Sequence, residues 1–217
     1  MKTIIICAGG PEEEIIPLAL FLDEETEFIG ADRGTIQLLE AGIVPLAAVG
    51  DFDSVCEEEL KKIEATGCII EKRPPEKDET DTELALNFAY SKNPDKIILT
   101  GVTGGRLDHM FSAVQLLVRN ARQQPSTQLT LANRQNELTI FQEGTHIIKK
   151  NEQFPYLSFY SMTEAVSGLT LTGVKYEVFS EDMHIGDTRF TSNEIIAPSC
   201  TISMTAGICL MVRSSDS

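Results

Sequence analysis

The sequence lacks a cysteine pattern that could hold a metal ion or a disulfide framework. Its five cysteines are an odd number, are scattered along the chain, and form neither a CxxC pair nor a Cys/His ligand spacing. With 217 residues the chain can bury its own core as one large domain or two small ones, so it needs no disulfide bonds or structural metal ions for stability. We therefore expect reduced, mostly buried thiols at Cys7, Cys56, Cys68, Cys200 and Cys209.

Long apolar runs are also missing. No apolar run approaches the roughly 20 residues that a membrane helix needs. The apolar start over residues 1–6 has neither the basic region nor the length of a signal peptide. We expect a cytoplasmic protein with no membrane partner.

Basic residues are scarce. The chain has 18 Lys and Arg against 33 Asp and Glu, for a formal net charge of -15. Binding to nucleic acid depends on clustered Lys and Arg that displace counterions, so we expect no nucleic-acid partner. The charge favours a cationic small molecule or divalent metals, although solvated carboxylates that serve only solubility are the commoner explanation.

Two hydrophobic periods divide the chain. Up to residue 133, apolar strands alternate with helical patterns at 35–41, 57–65, 81–91 and 107–122; the strands are TIIICAG, TEFIGAD, LAAVGD, CIIEKR, DKIILTG and QLTLAN. This alternation predicts an α/β domain with a doubly wound, mostly parallel sheet over residues 1–133. Beyond it the helical period disappears, and ELTIFQ, THIIKK, YLSFYSM, LTLTGVKYEVF and ISMTAGICLMVRS predict an all-β, sandwich-like domain over residues 134–217.

The usual nucleotide-binding fingerprints are absent, and acidic motifs lie at or near the ends of the predicted strands. No GxxxxGK[ST] and no GxGxxG occurs, which argues against a Walker NTPase and a standard dinucleotide fold. Instead ADRG, GDFDS, KDETD and GGRLDH follow or adjoin predicted strands. Ligands of an open parallel sheet bind beyond the carboxyl ends of its strands, so four such loops indicate a metal and phosphate site.

Asp51 and Asp53 follow a predicted strand directly. If the extended path continues, both carboxylates point to one side and Phe52 to the other. Two bare carboxylates about 4 Å apart would repel each other by about 4 kcal/mol at an effective dielectric near 20. A convergent pair therefore needs either a cation between the carboxylates or a shared proton. Magnesium suits such a site because it prefers oxygen ligands. The alternative is an Asx turn followed by a helix cap.

The segment around Asp78 and Asp81 has two interpretations. Thr80 and Glu83 fit a capping box, and acids complement a helix start, so helix capping explains much of the segment. Capping leaves Lys77 unexplained, and a lysine beside metal-binding acids suits a polyphosphate.

The Gly104-Gly105-Arg106 segment follows a strand and opens a helix. Exposed N–H groups, a positive helix end and a guanidinium together favour an anion. Asp108 and His109 could be ordinary first-turn residues. In the ADRG motif, Asp32 follows a strand, and Gly34 could be only a turn residue.

Read in order, these segments resemble thiamine pyrophosphokinases: ADRG, GDFDS, DETDTELAL and GGRLDH, then SGLTLTGVKYEV, TSNE and SMTAG. The resemblance spans nearly the whole chain. It implies an α/β catalytic domain, a β-sandwich that helps bind thiamine, and a homodimer with sites near the subunit interface. The implied reaction transfers the pyrophosphoryl group of ATP to the hydroxyethyl oxygen of thiamine by attack on the β-phosphorus, giving thiamine diphosphate and AMP.

The motifs of the resemblance imply that Asp51, Asp53 and Asp81 either bind magnesium directly or lie next to its ligands. It implies an ATP site formed by Asp32, Gly34, Lys77, Asp78, Gly104, Gly105 and Arg106. Together with the metal ligands, Arg106 and Asp108 complete the implied catalytic set, with Asp108 the candidate to accept the hydroxyl proton. An alkoxide stabilised by metal is the alternative.

The resemblance also implies thiamine contacts in the second half of the chain. Tyr176 matches a position where an aromatic ring can stack on the aminopyrimidine, with Ser192 and Asn193 supplying polar contacts. In some relatives the residue at this position is Trp, which offers a larger stacking area than Tyr. The alternative is that Tyr176 is an ordinary packed strand residue. A further departure is Arg33, where the family pattern often has Gly.

Two other classes of function fit the same residues. One is a different magnesium-dependent nucleotide phosphotransferase or hydrolase, with another alcohol or water as acceptor. The other is a noncatalytic thiamine or nucleotide sensor, because a fold and its binding residues do not prove turnover. The presence of Asp51, Asp53 and Asp81 disfavours the sensor.

Overall fold

The computed structural model describes residues 1–72 and 78–216. The chain divides into two compact units. The first unit comprises Met1–Leu116 and Gln124–Arg134, and the second comprises Leu117–Gln123 and Gln135–Ser217.

The first unit is built on a parallel sheet. Among its described residues the strands are β1 (Thr3–Cys7), β2 (Thr26–Ala31), β3 (Ala47–Gly50), β4 (Ile69–Lys72), β5 (Lys96–Thr100) and β6 (Gln128–Ala132). Their order is β6-β5-β1-β2-β3-β4, and every neighbouring pair is parallel. The strand order therefore reverses between β1 and β5, which is where open parallel sheets bind ligands. The predicted doubly wound sheet is confirmed.

The helices lie close to their predicted ranges. They are α1 (Gly34–Glu40), α2 (Glu57–Ala65), α3 (Asp81–Tyr90) and α4 (Leu107–Gln123). Two short 3-10 helices, Glu12–Glu14 and Leu18–Phe21, occupy a segment where the apolar pattern predicts no element. None of the helices in the described ranges is both long and apolar enough to cross a membrane.

The second unit is antiparallel throughout its strands. These are β7 (Asn136–Phe141), β8 (Gly144–Lys149), β9 (Tyr156–Ser161), β10 (Ala165–Thr172), β11 (Val178–His184), β12 (Asn193–Glu194), β13 (Ser199–Met204) and β14 (Cys209–Ser214). They form two sheets, with orders β12-β9-β14-β7 and β11-β10-β13-β8. Phe159 and Met211 of one sheet share a buried core with Leu171 and Ile202 of the other, which confirms the sandwich-like prediction.

One predicted strand is wrong. The segment LTLTGVKYEVF is broken, because β10 ends at Thr172 and β11 begins at Val178. Gly173 adopts φ +78°, and its N–H donates to Glu177 Oε1 at 2.9 Å. This local turn leaves Tyr176 in a bend outside both strands.

Buried apolar strands stabilise the first unit. Ile4, Ile5 and Ile6 of β1 are fully buried, and full burial of such a side chain contributes about 1.5–3 kcal/mol. The thiols are free, and Cys7 and Cys209 are among the three buried ones. Burial raises the pKa of both to about 12, so they stay protonated at neutral pH.

Candidate active site

A cleft of about 550 Å³ lies at the carboxyl edge of the first unit's sheet. Its walls come from the loops that follow β1, β2, β3 and β5 and from the starts of α3 and α4. The loops after β1 and β5 flank the point where the strand order reverses. The sheet thus brings the four predicted acidic loops to one cavity.

Three aspartates lie close together at this edge. Asp32, Asp51 and Asp53 each offer a carboxylate oxygen, and these oxygens lie within 4.8 Å of one another. Asp32, Asp51 and Asp81 line the cleft, whereas Asp53 is exposed. Asp81 Oδ1 lies 3.2 Å from the position that a Cβ on Gly50 would occupy, so Asp81 packs beside the end of β3. The structure therefore places Asp32, which was predicted as an ATP contact, beside Asp51 and Asp53 of the predicted metal-binding acids.

The chain turns sharply after β3. Asp51 Oδ1 accepts a hydrogen bond from the Asp53 N–H at 3.1 Å, and Phe52 has φ +60°. The predicted extended path beyond β3, which would point both carboxylates to one side, is therefore wrong. The alternative prediction, an Asx turn, is present. Phe52 is buried in a cluster with Ile36 and Ile63, which anchors the turn and leaves Asp51 facing the cleft.

Asp32 has the features of a cation ligand. Its Oδ2 accepts the Ser54 hydroxyl at 2.5 Å, while its buried Oδ1 has no hydrogen-bond partner within the described part of the chain. Burial raises the pKa of Asp32, the Ser54 hydrogen bond opposes that rise, and the charges of Asp81 and Asp51 add to it. A divalent cation would satisfy the orphan oxygen and relieve the repulsion, so the residues fit magnesium.

Arg33 connects two of the acidic loops. Its Nη1 donates to the Ser54 carbonyl oxygen at 3.3 Å and lies 3.7 Å from Glu59 Oε2. Its backbone has φ -58° and ψ -24°, which any residue adopts, so this position does not need glycine. The departure from the family pattern leaves the loop intact and adds a cation to the cleft wall.

The loop after β5 presents the expected anion-binding groups. Gly105, Arg106 and His109 line the cleft, and α4 begins at Leu107. Arg106 donates to Asp108 through Nε at 3.1 Å and through Nη2 at 2.6 Å. This pairing lowers the pKa of Asp108 to about 2. A carboxylate with so low a pKa is a weak base, so the geometry disfavours Asp108 as the acceptor of the hydroxyl proton.

The other predicted ATP residues are Gly34, Asp78 and Lys77. Gly34 is buried, and a Cβ there would collide with the Cys7 carbonyl oxygen, so its structural role is the close approach of α1 to β1. Asp78 is exposed and precedes α3, and Lys77 lies outside the described residues. Thr80 caps α3 as predicted, because its Oγ1 accepts the Glu83 N–H at 3.2 Å.

Glu79 and Thr82 also line the cleft. Neither of them was predicted as a site residue from the sequence. Glu79 lies beside Asp78 and Thr82 lies beside Asp81, and this adjacency is the signal that could have indicated them.

The predicted thiamine residues lie together in the second unit. Asn193 is buried; its Oδ1 accepts the Tyr176 N–H at 3.0 Å and its Nδ2 donates to the Tyr176 carbonyl at 2.8 Å. The Tyr176 side chain is 61% exposed, so its interpretation as a packed strand residue is wrong. Ser192 is exposed, and its N–H donates to Ser158 Oγ at 3.0 Å. Asn193 therefore holds the backbone that presents an exposed aromatic ring.

Comparison with known proteins gives a consistent result along the chain. Residues 18–130 match the family model "Thiamin pyrophosphokinase, catalytic domain", and residues 145–209 match "Thiamin pyrophosphokinase, vitamin B1 binding domain". The chain is 42% identical over 216 residues to the thiamine pyrophosphokinase of Bacillus subtilis (strain 168), with 100% of both chains covered.

Solved structures give the same result. The crystal structure of thiamine pyrophosphokinase from Bacillus subtilis superposes with a TM-score of 0.94 at 42% identity, covering 100% of both chains. That of thiamin pyrophosphokinase from Geobacillus thermodenitrificans gives 0.91 at 39% identity, covering 99% of this chain and 98% of that one. Yeast thiamin pyrophosphokinase, at 15% identity and a TM-score of 0.80, covering 99% of this chain and 86% of that one, shares the fold.

Proposed function

Because this chain belongs to the thiamin pyrophosphokinase family, we propose that it transfers the pyrophosphoryl group of ATP to thiamine, giving thiamine diphosphate and AMP. The observation that carries the proposal is the cleft of the first unit. It combines clustered carboxylates with a glycine loop and an arginine at the reversal of strand order. Such a site binds a metal together with a polyphosphate.

The reaction exchanges one bond at the β-phosphorus. The hydroxyethyl oxygen of thiamine forms a new bond to that phosphorus, and the bond to the oxygen bridging the α- and β-phosphorus breaks. AMP leaves with the electron pair, and the hydroxyl proton passes to solvent. Catalysis of this kind depends mainly on positioning and on stabilising phosphate charge.

The acids supply the cation site of the proposal. Asp32, Asp51 and Asp53 would hold Mg²⁺, and Asp81 lies on the same wall. When bound, the ion would neutralise charge on the transferred phosphates. The buried, unpartnered Oδ1 of Asp32 is the feature of this chain that supports such a ligand set.

The loop after β5 supplies the anion contacts. Arg106 and the Gly105 N–H would bind phosphate oxygens, with Gly104 giving the loop its path at φ +77°. Asp108 holds the Arg106 guanidinium through two hydrogen bonds, so we assign it the orientation of that group. Lys77 and Asp78 remain proposed ATP residues on the strength of the family motif alone.

The second unit supplies the thiamine contacts. Tyr176 would stack on the aminopyrimidine, Ser192 would add a polar contact, and Asn193 would hold the Tyr176 backbone. In this proposal residues 1–133 bind ATP and magnesium, and residues 134–217 bind thiamine. A homodimer in the cytoplasm completes the proposal.

Product analysis tests the proposal. Purified protein is incubated with ATP, magnesium and thiamine, and the products are separated by chromatography. Equal amounts of AMP and thiamine diphosphate are expected. ADP with thiamine monophosphate, or free phosphate, would indicate a different transferase or a hydrolase. Binding of both ligands without any product would indicate a sensor.

Replacement of Tyr176 by Ala is expected to raise KM for thiamine about tenfold, because ring stacking contributes roughly 0.5–1.5 kcal/mol beyond its buried area. KM for ATP should stay within twofold of wild type. The matched control is Phe179→Ala, which removes a ring of similar exposure, 63% against 61%, from the adjacent β11. Equal increases for both substrates in Tyr176→Ala would contradict the stacking role.

A further inference from the structure

A polar cluster outside the acidic group lies against the loop after β5. Glu14 Oε2 accepts hydrogen bonds from the Thr103 hydroxyl at 2.9 Å and from Asn133 Nδ2 at 2.7 Å. Asn133 Nδ2 also lies 3.0 Å from Thr103 Oγ1. Asn133 is 5% exposed, and Glu14 and Thr103 are half-buried. The cluster connects the segments that follow β1, β5 and β6.

Glu14 touches two consecutive residues of that loop. Besides its hydrogen bond to Thr103, its Cγ would collide with a Cβ placed on Gly104. The stem of Glu14 therefore fills the space beside the Gly104 backbone. The next two residues, Gly105 and Arg106, line the cleft, whereas Glu14 is not among the lining residues.

We propose that Glu14 is a positioning residue that fixes residues 103–106, and through them Arg106 and the Gly105 N–H, for binding the nucleotide phosphates. The inference rests on the proposed function of the same cleft. A carboxylate near a phosphate site repels the ligand, so charge attraction does not explain Glu14. Its geometry does, because one carboxylate oxygen of Glu14 holds two donors, the Thr103 hydroxyl and Asn133 Nδ2.

The test replaces Glu14 and measures ATP and thiamine separately. Glu14→Ala is expected to lower kcat/KM for ATP about tenfold and to leave KM for thiamine unchanged, because the lost bonds release only the phosphate loop. Glu14→Gln keeps an acceptor oxygen at the same place and should restore most of the loss. The matched control is Glu13→Ala, which removes an exposed glutamate from the same 3-10 helix and should behave as wild type.

A double variant, Glu14→Ala combined with Arg106→Ala, separates positioning from general loss of structure. Because Glu14 acts partly through Arg106, Glu14→Ala should add less than its own full loss of kcat/KM for ATP to Arg106→Ala, and Thr103→Val should reproduce the effect of Glu14→Ala. Full multiplication of the two losses, or ATP kinetics within twofold of wild type in both Glu14→Ala and Thr103→Val, would overturn the inference.

Titration of each variant with ATP and magnesium, without thiamine, extends the test beyond the proposed reaction. A weaker ATP affinity in Glu14→Ala supports positioning even where the acceptor is not thiamine. An unchanged affinity overturns it. Absence of thiamine diphosphate in the wild-type assay would instead contradict the proposed function, so the two failures are distinguishable.

Discussion

Asp51→Asn is expected to lower kcat for pyrophosphoryl transfer about a thousandfold, comparable to the loss of a main electrostatic contact in other active sites. The substitution removes one negative charge from the cluster with Asp32 and Asp53 and keeps the shape of the side chain. A cluster with one charge fewer holds a divalent cation more weakly. The variant should therefore need a higher magnesium concentration to reach its remaining rate.

The fold should survive this change. The introduced amide retains the Oδ1 atom that accepts the Asp53 N–H, so the turn after β3 can form as before. Asp23→Asn is the matched control, because Asp23 Oδ1 accepts the Glu25 N–H at 2.9 Å in the same kind of turn, and Asp23 is not among the residues that line the cleft. Both variants should melt within a few degrees of wild type, and a near-normal kcat in Asp51→Asn would refute the metal role.

Arg106→Ala is expected to lower kcat/KM for ATP about a hundredfold. Arginine presents a planar fork of donors to phosphate, and Arg106 is already oriented by its two hydrogen bonds to Asp108. Arg106→Lys should recover only part of the loss, because lysine is a point charge without the fork. Arg122→Ala is the control, since Arg122 is exposed in the last turn of α4, the helix that follows Arg106.

The companion variant Asp108→Asn distinguishes orientation from base catalysis. If Asp108 orients Arg106, its loss should be smaller than that of Arg106→Ala, and the double variant should equal Arg106→Ala. Its pH profile near neutrality should match wild type, because a group with a pKa of about 2 is already ionised there. A loss as large as in Arg106→Ala, with the acidic limb of the profile removed, would restore Asp108 as the base.

Much of the fold follows from local patterns in the sequence. The apolar run at Ile4–Ile6 is fully buried in β1, as a central parallel strand requires. The Thr80 cap marks the first residue of α3 correctly because an N-cap is a contact within four residues. The fold class, the family and the activity predicted from the ordered motifs agree with the comparisons.

The errors arise where the conformation of a single residue decides the path. Phe52 turns into the core with positive φ and ends the expected alternation after β3. Gly173 also has positive φ, and it interrupts a predicted strand of the second unit and places Tyr176 in a bend. Neither conformation follows from a hydrophobic period, which registers only average direction.

Contacts between distant positions were also out of reach. Asp32 joins Asp51 because β2 and β3 are neighbours in the sheet, and a motif read on its own does not contain that pairing. Glu14 and Asn133 are 119 positions apart and have no shared motif. Their contact depends on the strand order β6-β5-β1, which brings the ends of three strands together.

Transfer of label from ATP tests the central claim most directly. With ATP labelled at the β-phosphorus, magnesium and thiamine, all transferred label should appear in thiamine diphosphate, and the AMP released should carry none. Label that remains in ADP, with thiamine receiving only the γ-phosphoryl group, would contradict attack at the β-phosphorus and with it the assignment of this cleft to pyrophosphoryl transfer.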